Sequence, residues 1–198
     1  VSASTGDLEV ETPGSATPAA PPQRRQRHWA VGWLMVIVVA AIVSILLRLF
    51  VVQTFFVPTG SMYPTLQIGD RILVQKFGFS LQRGAIVVFD HPKGDAEGPL
   101  NEDLVKRIIG LPGETISSKG NTVYIDGKPL AEPWLPKGTP LGQQIRTQTI
   151  PKGEYFMMGD NRTDSYDSRH WGPIPGSTII GRVFLIVWRH GHPVFLIP

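Results

Sequence analysis

Two hydroxyls, one lysine and one dense polar loop are the groups in this 198-residue chain whose types and spacing could do chemistry. Thr59 and Ser61 flank Gly60 in the stretch PTGSMYPTL, residues 58–66, with a proline on either side. The stretch reads either as a turn or as the mount of a nucleophile. A serine becomes nucleophilic only beside a base. The G-x-S-x-G, H-E-x-x-H and Walker A patterns are all absent, and the five histidines are scattered. A lysine can serve as the base if its amine is neutral. In DLVKRIIG, residues 103–110, a strand would put Leu104, Lys106 and Ile108 on one face and Val105, Arg107 and Ile109 on the other. Buried among apolar neighbours, Lys106 would lose its proton more readily; at a sheet edge it would simply be solvated. Arg107 cannot act as the base, because a guanidinium stays protonated. GDNRTDSYDSRHWG, residues 159–172, holds Asp160, Arg162, Asp167 and Arg169 with two serines and two glycines. Such a composition fits a solvated loop with Asx turns or a polar clasp whose ion pairs hold a site in shape.

The elements that must position these groups read as β. Glycine (21) and proline (18) are frequent, which favours short strands and turns. RILVQKF, AIVVFD, LVKRII, TVYIDGKPL, YFMM and IIGRVFLIVW are β-branched or aromatic runs separated by turn signals. Asp126-Gly127 between Val123-Tyr124-Ile125 and Pro129-Leu130 predicts a hairpin. Residues 131–150 look irregular, an inserted loop region. The run VFLIVW, 183–188, is too short to cross a bilayer and reads as a buried strand. With no cysteine, disulfides, thiol catalysis and thiolate metal sites are excluded. His190 and His192 lack an obvious third ligand, so no metal site is expected. The net charge of +3 is too small to argue for nucleic acid. The NRT triplet at Asn161 is a weak glycosylation pattern and is set aside.

The first 23 residues are rich in Ser, Thr, Pro, Ala and Gly, as in a disordered tail. Arg24, Arg25 and Arg27 then precede an apolar run of 19 residues from Trp29 to Leu47. As a helix it would reach about 28 Å, close to the roughly 30 Å of a hydrocarbon core. A cleaved secretory signal would have a shorter apolar core and a small-x-small site after it; LRLFVVQTFF follows instead, which favours an uncleaved anchor. No Lys or Arg occurs between Gln53 and Gly69. The asymmetry predicts a cytoplasmic N-terminus and an external domain. The expected organisation is a disordered cytoplasmic tail over 1–28, a transmembrane anchor over 29–52 and an extracytoplasmic domain over 53–198, with an inserted region at about 115–150.

PTGSMYPTL, GDRILV, VKRIIGLPGE and GDNRTDSYDSRHWG occur in this order between about Val57 and Trp188, after an oriented anchor. Together they resemble the bacterial type I signal peptidases, membrane-anchored serine proteases that use a Ser-Lys dyad to remove signal peptides from exported proteins. The resemblance implies a mainly β fold: a β-rich catalytic core with a smaller inserted β region, preceded by one N-terminal transmembrane helix. It implies Ser61 as nucleophile and Lys106 as general base. Thr59 matches a hydroxyl that helps bind the oxyanion together with the Ser61 N–H. Ser165 matches the serine that orients the lysine amine, and Asp167 and Arg169 match an ion pair that shapes the site. Glu114, Asp164 and His170 depart from the commoner Asp, Asn and Tyr, outside the dyad. No cofactor is implied. The implied partners are signal-peptide-bearing preproteins, the lipid bilayer and the secretion translocon, and the implied place is the bacterial plasma membrane. Two other readings remain: a Ser-Lys peptidase of the self-cleaving repressor type, and a non-catalytic membrane-anchored β domain that binds peptides or envelope partners.

Overall fold

The computed structural model describes residues 25–50, 52–92 and 103–198, with side chains throughout except at 25–28 and 46–50. The tail expected over 1–28 therefore falls outside the described residues as far as 24; from Arg25 the chain is helical. Helix α1, Arg25–Phe50, contains no proline and a single glycine, Gly32. Every described side chain on it, 29–45, is exposed although most are apolar. Among the described residues no helix is long and apolar enough to cross a membrane; the stretch 29–45 spans about 25 Å of helix.

The remainder is mainly β. Strands β1 (Val52–Phe56), β2 (Arg71–Gln75), β3 (Ile86–Asp90), β4 (Asp103–Gly110), β9 (Glu154–Met158), β10 (Ile174–Pro175), β11 (Ile179–Arg189) and β12 (His192–Leu196) form an eight-stranded sheet. Its order is β1-β2-β11-β3-β4-β9-β10, with β12 paired to β11. A second sheet, in the order β7-β6-β5-β8, comprises β5 (Thr115–Lys119), β6 (Thr122–Ile125), β7 (Lys128–Pro129) and β8 (Gln148–Thr149). One short helix, α2 (Ser168–Trp171), follows the polar loop. All six runs read as strands lie in strands. Asp126 and Gly127, both with positive φ, make the two-residue turn between β6 and β7, where Ile125 pairs Lys128.

Two differences have plain causes. The run at 183–188 is only half buried: Val183 and Ile186 face the core while Phe184 is 36% exposed. One face of that strand meets the core, and the register shift after Val183 brings Ile186, three residues on, to the same face. His190 and Gly191, both at positive φ, form the turn into β12, a strand not anticipated because the HGH stretch drew attention as a ligand pair.

Strand β3 is buried on both sides. Ile86 and Val88 enter one core with Val57, Met62, Leu66 and Ile72, whereas Val87 and Phe89 enter another with Ile108 and Met157. A third core under the second sheet joins Ile109, Phe156 and Met158 to Ile116, Val123 and Ile150. The strand that unites the main sheet is β11. Its first residues pair with β3, and from Arg182 onward it pairs with β2, with register shifts that bend it. At Gly181 an added Cβ would lie 2.4 Å from the Gln75 carbonyl oxygen and 2.6 Å from Val74 Cγ1. Gly181→Ala must push β2 away from β11. Urea unfolding of the variant should show a loss of about 1–3 kcal/mol, the usual cost of overpacking; unchanged stability would mean that the seam between these strands is slack.

Candidate active site

Ser61 sits on the connection between β1 and β2. Met62 and Leu66, both fully buried, anchor its turn in the core, and Tyr63 N donates to Gly60 O at 3.0 Å. Asp70 fastens the end of the connection: it accepts from Gln67 N and from Arg189 of β11, and Arg189 Nη2 also donates to Thr65 O at 2.8 Å. Ser61 is thus held from three directions while its hydroxyl stays at a surface cleft. At Gly60 an added Cβ would meet Ile68 Cδ1 at 3.8 Å, an ordinary contact. The chain itself therefore has room for alanine there, and any need for glycine comes from what binds in the cleft.

Lys106 lies in β4 opposite Val87 of β3, on the face it shares with Leu104 and Ile108. The solvated alternative is not what the fold provides, since Lys106 is only 4% exposed. Its Nζ is 2.6 Å from Ser61 Oγ. Burial pulls the amine down to about 8; Asp167 opposes this, Arg169 reinforces it, and Asp160 again opposes it. Thr59 Oγ1 stands 3.4 Å from Ser61 Oγ. The three groups line one cleft of ≈ 240 Å³ with Gly60, His91, Leu104, Asp164 and Tyr166.

The polar loop arrives here because of strand register. Arg107 of β4 pairs Met158 of β9, so the chain leaving β9 at Gly159 runs directly past Lys106. Asp167 receives both Nε and Nη2 of Arg169, at 2.8 and 2.7 Å, and the Gly159 N–H at 3.0 Å. Burial works against its ionisation, but the Arg169 guanidinium and the Gly159 N–H outweigh this and hold the carboxyl below the usual range. Asp167 also caps α2. Ser165 is in the loop beside Gly159, where an added Cβ would fall 2.2 Å from Ser165 Oγ. That hydroxyl is buried and makes no hydrogen bond to Lys106; it lies on the side of Asp167, where it helps to hold the carboxyl down.

The structure therefore brings Ser61, Lys106 and Thr59 together and sets the Asp167–Arg169 pair behind them. Several supporting residues had no clear sequence signal. Asp160 and Arg162 looked like partners within the loop. Instead, Asp160 takes the Arg107 guanidinium, at 2.8 Å to Nε and 2.6 Å to Nη2, and Arg162 takes Glu132. The arginine on the far face of the Lys106 strand was the one available clue, because a guanidinium buried there demands a carboxylate. Asn161 Nδ2 donates to Gly60 O at 3.1 Å, so the NRT asparagine is engaged within the site.

A model of the family described as signal peptidase, peptidase S26, matches residues 30–188. The chain is 35% identical over 189 residues to "Signal peptidase I" of Leptolyngbya laminosa, covering 91% of this chain and 92% of the relative. It is 39% identical over 170 residues to "Signal peptidase I T" of Bacillus subtilis, covering 80% and 85%. A crystal structure of a signal peptidase I from Enterococcus faecalis V583 superposes with a TM-score of 0.44 at 32% identity, covering 52% of this chain and 97% of that one. A family match across most of the chain, together with relatives above 30% identity over most of both lengths, makes this protein a serine endopeptidase of the type I signal peptidase family, peptidase S26.

Proposed function

We propose that the chain removes N-terminal signal peptides from exported preproteins by acyl transfer, with Ser61 as nucleophile and Lys106 as general base. The observation that carries this reading is the 2.6 Å contact between a buried amine and the Ser61 hydroxyl. Neutral Lys106 takes the Ser61 proton as Oγ attacks the scissile carbonyl. Thr59 Oγ1 and the Ser61 N–H donate to the oxygen that becomes negative. Collapse of the intermediate breaks the C–N bond, and the lysine ammonium passes its proton to the departing amine. Water, deprotonated by the same amine, then hydrolyses the Ser61 ester and returns the enzyme to its starting state. Ser165, whose hydroxyl lies buried beside Gly159 and Asp167, is assigned to orient the amine.

The Asp167–Arg169 pair has an electrostatic task in this scheme. A bare carboxylate near Lys106 would stabilise the ammonium and disable the base. The guanidinium offsets part of that pull, and Asp160 is likewise gripped by the Arg107 fork. We assign membrane anchorage to α1, supported by its continuous 26 residues, its exposed apolar side chains over 29–45 and the arginines at 24, 25 and 27 that precede the apolar run. The N-terminus is then cytoplasmic and the β domain extracytoplasmic, beside the lipid bilayer and the secretion translocon that delivers preproteins.

The direct test is cleavage of a purified secretory precursor by wild type and by Ser61→Ala, followed across pH. Wild type should cleave and Ser61→Ala should not. Below about 8 Lys106 holds its proton and cannot act, so kcat/KM should rise with pH through that region. Lys106→Arg, which cannot supply a base, should be inactive throughout. Cleavage by Ser61→Ala would end this reading.

Arg169→Gln leaves the Asp167 charge uncancelled. The Lys106 ammonium is then favoured, and the acidic limb of the pH–rate profile should move to higher pH. A limb that stays in place would show that the pair acts through shape alone.

Thr59 separates shape from hydrogen bonding. Thr59→Val keeps the branched outline and removes the donor; Thr59→Ser keeps the donor. The Val variant should lose roughly 10²-fold in kcat with KM nearly unchanged, and the Ser variant should stay near wild type. A Val variant as fast as wild type would leave the backbone N–H as the sole donor.

A further inference from the structure

The peptide unit between Gly60 and Ser61 is planar, so its carbonyl oxygen and its N–H point in opposite directions. Whatever holds Gly60 O therefore aims Ser61 N–H, the backbone donor in the scheme above. Two donors hold it: Tyr63 N–H from within the turn, at 3.0 Å, and Asn161 Nδ2 from the polar loop, at 3.1 Å. The Asn161 backbone N–H also donates to Ser61 O at 3.0 Å, so one residue clamps the carbonyls on both sides of the nucleophile. Asn161 is in turn fixed by its neighbour. The Arg162 side chain is 2% exposed. Its Nε donates to Gly159 O at 3.0 Å, which closes the 159–162 turn on itself, and Nη1 donates to Glu132 Oε2 at 3.1 Å. Nη2 meets the other oxygen of Glu132. Glu132 belongs to the irregular segment of the inserted region, between β7 and β8. That segment touches the loop again at Gly142, where an added Cβ would lie 2.9 Å from Arg162 O.

We propose that Asn161 is a positioning residue that aims the Ser61 N–H at the oxyanion, and that Glu132 of the inserted region is the outer anchor which holds Asn161 in place through Arg162. This rests on the peptidase reading above. Neither residue touches the reacting atoms. Their contribution is orientation, so it should appear in turnover and not in precursor binding or in the ionisation of Lys106.

The test compares Asn161→Leu and Glu132→Gln with wild type and Ser61→Ala on one precursor. Asn161→Leu is close in size and uncharged, and it leaves Tyr63 N–H as the one described donor to Gly60 O. It should lose about 10²-fold in kcat, the scale of one oxyanion donor. Glu132→Gln keeps a weaker acceptor for Arg162 and should lose about tenfold. For both, KM and the midpoint of the acidic limb should stay at wild-type values. Full kcat in Asn161→Leu, or a moved midpoint, overturns the proposal. Amide hydrogen exchange gives a readout independent of turnover, with Glu132→Asp as the reserve should the Gln variant not fold. The Asn161 N–H should exchange about tenfold faster in either Glu132 variant while the amides of β3 stay unchanged; equal rates at Asn161 overturn the relay. If wild type leaves the precursor intact, or Ser61→Ala cleaves it, the peptidase reading fails, and the exchange data still decide the relay.

Discussion

A buried lysine amine held 2.6 Å from a serine hydroxyl is the constraint on which the rest of this molecule depends. Burial lowers the amine to about 8, and burial of Lys106 requires a strand covered by apolar side chains on the lysine's own face. Polar groups are nevertheless needed nearby to tie the loops together, and two of them are carboxylates that would restore the ammonium. Both are answered by arginine forks, Arg107 on Asp160 and Arg169 on Asp167. The guanidinium is the suitable partner because it stays charged at any working pH and grips both carboxylate oxygens at once. The site is rich in charges, and Arg169 offsets part of the pull of these carboxylates toward the ammonium while burial outweighs the rest.

The fold solves the matching problem of distance. Ser61 and Lys106 are 45 positions apart, on segments fixed to different strand pairs. The β1–β2 pair carries Ser61, the β3–β4 pair carries Lys106, and β11 pairs with one member of each. Asp70 and Arg189 add a second tie between β11 and the segment that presents Ser61. β9 then delivers the polar loop beside the lysine by simple antiparallel pairing with β4. Little of this geometry rests on a long helix or a flexible hinge; it rests on register.

Much of this could be read from residue order because strands and turns are local. β-branched and aromatic runs marked the strands, Asp-Gly marked a hairpin, and strand alternation put Lys106 on a face with apolar residues. The resemblance carried by the four blocks implied one site for Ser61, Thr59 and Lys106, which the structure brings together. The partners of Asp160 and Arg162 could not be read that way. Each pairs across the sheet order, with Arg107 and Glu132, and nothing in the neighbouring residues encodes a pairing set by β4–β9 register or by an irregular segment between β7 and β8. Of the second sheet the β6–β7 hairpin was legible, whereas β5 and β8 were not, because they are short and Thr115–Lys119 is too polar to stand out. The β12 hairpin was hidden because His190-Gly191 is not one of the common hairpin dipeptides.

The place of β11 in the sheet also orders events in time. A ribosome releases this chain from its N-terminus, so Ser61 and Lys106 emerge before the strand that joins their halves. Until Ile179–Arg189 is made, β2 and β3 have no common neighbour, and Asp70 has no Arg189. The nascent polypeptide thus carries both side chains before the strand that ties their segments together exists.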